Sequence, residues 1–148
     1  MTCLREDGSS TWMCSNEFFV QHDLGHYAIE TMFGSDEAFF GLIAKGWDIS
    51  AFEERAPNSK KCRAVPPEAI HAEVLAGLLD LRRANPHLTA SELVEVLSAL
   101  DSPEGHLRTN FDQEKLEAVL VSHEALLGRW RALSPGQDLE LEFPPATA

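Results

Sequence analysis

The sequence predicts an α+β fold, mostly helical and in a single domain, with a small antiparallel sheet formed by an N-terminal hairpin and a C-terminal strand. Three observations predict it. The segments "TCLRE" and "TWMCS" flank "DGSS", and Asp-Gly between short alternating segments is a hairpin signal. Residues 16–133 carry apolar side chains mainly at helical spacing. In "DLELEF", Leu139, Leu141 and Phe143 alternate with Glu140 and Glu142, the pattern of a strand with one buried face.

Each element has its own local reason. The hairpin occupies residues 1–15, and a first helix is expected over 18–33, stopped by Gly34. Ser35 is placed to cap a second helix, with Asp36 and Glu37 in its first turn, where the helix dipole favours anions. Prolines 57, 66 and 67 make 56–67 the best loop in the chain. A third helix follows, with Ile70, Val74, Leu78 and Leu81 on one stripe, and "NPH" ends it. "TASE" opens a fourth helix with a capping box between Thr89 and Glu92. A fifth, from about Asp112 to Leu133, carries Leu116, Leu120, His123, Leu127 and Trp130 in register. The strand is expected at 138–143 and a loose tail at 144–148.

Composition removes several function classes. The chain has 148 residues, enough for one domain with a sizeable core. Lys and Arg number 12 against 24 Asp and Glu, a formal net charge of −12, and the only basic run is "KKCR". Nucleic acid and anionic membrane surfaces are therefore poor partners, since both recruit clustered cations. A negative surface instead suits solubility and attracts metal ions. Three cysteines, Cys3, Cys14 and Cys62, without CxxC spacing, argue against a disulfide framework. With no signal-like core and no long apolar run, a cytoplasmic protein is expected. No Gly-rich phosphate loop and no GxSxG elbow is present, which leaves nucleotides and a serine triad unsupported.

One stretch carries chemistry: "FFVQHDLGHYAIE", Phe18 to Glu30. On a helix, His22, Asp23, His26 and Glu30 fall in a sector about 100° wide. Val20, Leu24, Tyr27, Ala28 and Met32 make the expected core face, while Phe18, Phe19, Ile29 and Phe33 border or enter the polar stripe. Apolar area left wet forfeits about 25 cal/mol per Å², so the stripe is expected to line a pocket. Buried polar groups need partners, and a metal ion is an efficient one. Histidines at i and i+4 point the same way from adjacent turns and can hold one divalent ion, as in HExxH helices. Here Asp23 takes the glutamate's place, with a carboxylate about one methylene further back, and is a candidate to move protons. Glu30 lies roughly 12 Å along the axis from His22, too far to share the ion easily. It is expected to act as an acid or base or to orient His26.

The motif resembles the HDxxH-x11-E motif of the ubiquinone-biosynthesis protein family, over some 16 of the 148 positions. That resemblance implies a helical protein binding zinc through His22, His26, Asp23 and, shifted by one residue, Glu37, with ten residues between His26 and Glu37 where the family has eleven. The longer pattern "HDLGHYAIE…FFGLIAKGWDI" also resembles a bacterial family to which no activity attaches. His123, at an apolar stripe position of the last helix, is the other contender for a third ligand. Two readings follow. One is a small metal-dependent hydrolase or lyase in which His22 and His26 hold a divalent ion, zinc foremost, Glu37 or His123 completes the site, and Asp23 or Glu30 moves protons. The other is a non-catalytic helical binding protein whose stripe is hydrogen-bonded structure. A small-molecule ligand and a homo-oligomer are compatible with both.

Overall fold

The computed structural model describes residues 1–53, 65–100 and 113–144. Two short strands, β1 (Thr2–Leu4) and β2 (Ser10–Trp12), precede α1 (Glu17–Phe33), α2 (Phe39–Ala44), α3 (Ser50–Glu53), α4 (Pro67–Ala84), α5 (Ala90–Leu100) and α6 (Gln113–Arg131). The α+β, mostly helical class is thus observed.

The hairpin forms where the Asp-Gly signal sits. β1 and β2 pair antiparallel with Thr2 opposite Trp12 and Leu4 opposite Ser10. Gly8 takes φ 82°, a left-handed conformation that favours glycine. Asp7 Oδ1 accepts from the Ser9 amide at 2.8 Å. Arg5 then ties the hairpin to the helical part, its guanidinium donating to the carbonyls of Ile43 at 2.8 Å and Trp47 at 2.6 Å and to Asp48 Oδ1 at 3.0 Å.

The C-terminal strand is not formed. Among the described residues the sheet has two strands, and 138–143 is irregular. The alternation was nonetheless a real burial signal: Leu139 and Leu141 pack against the core, while the Phe143 ring lies 6.3 Å from Tyr27 and 5.8 Å from Phe40. Tyr27 Oη donates to the Glu142 carbonyl at 2.7 Å. The segment lies on helix side chains, so its pattern buries one face without a ladder partner.

Helix α1 is the centre of the bundle, packed chiefly against α4 and α6. Asn16 caps it, accepting from the Phe19 amide at 3.1 Å, and Gly34 ends it at φ 65°. Helix α2 begins at Phe39, later than the Ser35 cap implies. Its first free donors are met instead by the α1 carboxylate of Glu30, whose Oε2 accepts from the amides of Phe40 at 2.8 Å and Gly41 at 3.2 Å. The turn before it is tight, since a Cβ on Gly41 would lie 2.4 Å from the Asp36 carbonyl carbon. Helix α5 has the expected capping box, with the Thr89 amide donating to Glu92 Oε2 at 2.7 Å and the Glu92 amide to Thr89 Oγ1 at 3.3 Å.

Helix α4 begins at Pro67 as expected, and Leu78 and Val74 of the expected stripe face the core, but the buried face is rotated from that stripe. Ile70 and Leu81 are exposed, whereas Ala69, Ala72, Leu75, Ala76, Leu78 and Leu79 are buried. Small residues let α1 and α4 approach closely: Gly25 faces Leu79, and a Cβ there would lie 3.3 Å from Leu79 Cδ1. Ile29, Leu79, Leu93, Leu116 and Leu127 are almost fully buried, each contributing roughly 1.5–3 kcal/mol by removal from water. Most of the proline-rich loop assigned to 56–67, and most of the tail assigned to 144–148, lie outside the described residues. No helix among the described residues is long and apolar enough to cross a membrane.

Candidate metal centre

The polar stripe of α1 faces α4. His22 and His26, one turn apart, bring their rings to 4.9 Å between centroids. Opposite them stands Glu73 of α4, with Oε1 3.6 Å from His22 Nε2 and Oε2 3.2 Å from His26 Nε2. One ligand atom from each of these three residues lies within 4.8 Å of the others. Glu73 is half-exposed while His26 is buried, so the cluster opens to solvent on its α4 side.

Each imidazole has a carboxylate at its other nitrogen. Asp80 Oδ2 lies 2.7 Å from His22 Nδ1, and a carboxylate only accepts, so Nδ1 carries the hydrogen and Nε2 is directed at Glu73. Glu30 Oε1 lies 3.3 Å from His26 Nδ1, too poorly aligned for a hydrogen bond, and Glu30 is completely buried. Aromatic rings shield both histidines: Phe18 is nearly parallel to His22, 16° between planes at 6.2 Å, and Phe39 of α2 lies 5.5 Å from His26.

Electrostatics follow from this crowd of carboxylates. His26 is pulled down by burial, but the adjoining Glu30 and Glu73 overcome that and raise it to about 9. His22 is raised by Glu73, against burial and with help from Asp80. Glu73 is held well below the usual carboxylate range by His22 and His26. Asp23 is raised to about 6 by burial, and its Oδ2 has no hydrogen-bond partner among the described residues. The cluster therefore stabilises positive charge at the imidazoles, whether as protons or as a cation.

The structure brings together only part of the expected set. His22 and His26 converge, and Glu30 stands beside His26 where an orienting partner is expected. Asp23 is on the same helix but outside the trio. Glu37 is elsewhere: its carboxylate is 4.0 Å from Lys45, and its amide donates to Glu68. His123 is also elsewhere, its Nε2 3.3 Å from the Gln21 carbonyl on the α6 side of α1, where burial lowers its pKa. The carboxylate that joins the two histidines is that of Glu73, which is not among the candidates the sequence singles out. Its signal was the pair Glu73 and Asp80, two helical turns apart on the apolar α4 and thus on one face. No protein family, curated protein or solved structure matches the chain.

Proposed function

We propose that the protein binds a divalent transition-metal ion, zinc foremost, through His22 Nε2, His26 Nε2 and the Glu73 carboxylate, and works as a small metal-dependent hydrolase or lyase. The observation that carries the reading is the convergence of these donors from α1 and α4 within 4.8 Å, with carboxylates Asp80 and Glu30 at the far nitrogens. Two histidines and one carboxylate is a donor set of catalytic zinc sites, and carboxylate partners fix ring orientation and raise ligand basicity. An ion held by such a set would supply Lewis-acid chemistry, polarising a carbonyl or lowering the pKa of a water. Glu73 is half-exposed, so an ion held there would be reached from solvent. Asp23, raised to about 6, titrates in the range useful to a proton-transfer group.

A second reading rests on a specific observation. Glu73 already contacts both imidazoles, and His26 is raised to about 9, so an ion cluster can hold α1 to α4 without metal. Elemental analysis of protein purified without added metal, followed by zinc titration of the wild type and of His22→Ala, His26→Ala and Glu73→Ala, separates the two. Stoichiometric metal in the wild type and its loss in the variants supports the metal centre. Substoichiometric binding by the wild type, or equal binding by all four proteins, leaves only the ion cluster. Iron in place of zinc would keep the site and change its chemistry, since the same donor set with open positions serves non-haem iron.

A further inference from the structure

Beyond the three donors, one layer of side chains faces only the back of His22. Asp80 uses both carboxylate oxygens: Oδ2 on His22 Nδ1 at 2.7 Å and Oδ1 on Arg83 Nη2 at 3.0 Å. Arg83 is itself fixed, donating from Nη1 to Gln21 Oε1 at 2.6 Å while its guanidinium lies 5.1 Å from the centre of the Phe18 ring. Gln21 in turn donates to Glu17 Oε1 at 3.1 Å. The chain of contacts returns to the helix on which it began, so His22 is gripped from its own flanks.

We infer that Asp80, held by Arg83, is a positioning residue that makes Nε2 the nitrogen His22 presents to a metal ion; the inference rests on the metal-centre reading. Both Asp80 oxygens are committed, so this carboxylate does not itself turn toward the ion. As an acceptor it requires hydrogen on Nδ1, which leaves the Nε2 lone pair free for coordination. His26 lacks equivalent support. Its neighbour Glu30 sits at 3.3 Å out of alignment and spends its other oxygen on the start of α2. The two imidazoles are therefore supported unequally, and His22 depends on Asp80 for its tautomer.

The test is a zinc competition titration of the wild type, Asp80→Ala and the near-isosteric Asp80→Asn, with nitrogen-15 histidine spectra of each zinc-loaded protein. Expected are His22 coordination through Nε2 with a slowly exchanging Nδ1 hydrogen in the wild type, and affinity about 10–100-fold weaker in Asp80→Ala, with Asp80→Asn between them. Melting temperatures monitor folding, and Asp80→Asn stands in if the alanine variant does not fold. Wild-type binding with unchanged affinity in both variants, or His22 bound through Nδ1, overturns this inference and spares the metal centre. Wild-type zinc affinity no better than that of His22→Ala overturns both.

Discussion

The two long interfaces of α1 each contain a histidine only 4% exposed, and the two histidines are pushed in opposite directions. His123, on the α6 side, is lowered by burial, with the Gln21 carbonyl as its hydrogen-bond partner. His26, on the α4 side, feels the same burial but stands between Glu30 and Glu73 and is raised to about 9. Depth alone therefore does not decide what a buried imidazole does. One interface sets its imidazole against a backbone carbonyl and the other sets its imidazole between two carboxylates, and that difference in partners decides the direction of each shift.

The largest expected effect comes from removing the charge that both His26 and α2 use. Glu30→Ala leaves the buried His26 imidazolium with Glu73 alone and frees the Phe40 and Gly41 amides, and chemical denaturation is expected to show a loss of about 3–5 kcal/mol. A loss near that of His123→Ala would erase the distinction between the interfaces. Next is the ion: zinc at about 100 times its dissociation constant is expected to stabilise the wild type by about 2.7 kcal/mol. The melting-temperature shift should vanish in His26→Ala and persist in His123→Ala, and equal shifts in both would place the ion elsewhere.

The pH response of zinc-free protein separates the two interfaces by sign. His26, raised from 6.5, contributes stability that is complete below that value and is lost as pH rises through about 9. His123, lowered from 6.5, contributes a penalty at acid pH that is relieved as pH rises toward 6.5. Denaturation from pH 5 to 10 is therefore expected to lose its alkaline slope in His26→Gln and part of its acid slope in His123→Gln; exchanged slopes would contradict the assignment. The smallest effect is expected where the interfaces meet. A Cβ on Gly25 would lie 3.3 Å from Leu79 Cδ1 and 3.7 Å from His123 Nε2. Gly25→Ala sets this crowding against better helix propensity, and a net loss of about 1 kcal/mol is expected in denaturant melts.

Local chemistry made the hairpin, the α1 terminus at Gly34, the Thr89 capping box and the HxxxH pair legible in the sequence, because each is decided within a few residues. The partners of that pair were not. Glu73 and Asp80 reach the histidines only after α4 turns its alanines inward, a choice set by how closely two helices can approach. A stripe drawn through the large residues Ile70, Val74, Leu78 and Leu81 finds the core at Val74 and Leu78 and misses the alanines that complete the buried face. Glu37 is near His26 in sequence and pairs with Lys45 in space. His123 stands out for the reason it is buried, yet burial puts it across the helix from the other two. The alternation of 138–143 recorded which side chains are covered without recording what covers them.

Glu30 makes the site audible at a distance. One of its oxygens stands beside His26 and the other receives the amides that begin α2, while Phe39, next in line, covers the His26 ring. A change in charge or rotation at the imidazole must redistribute the pull on that carboxylate, and so loosen or tighten the first turn of α2. The hydrogen-exchange rates of the Phe40 and Gly41 amides thus become a clock for events at a ring neither residue has to touch.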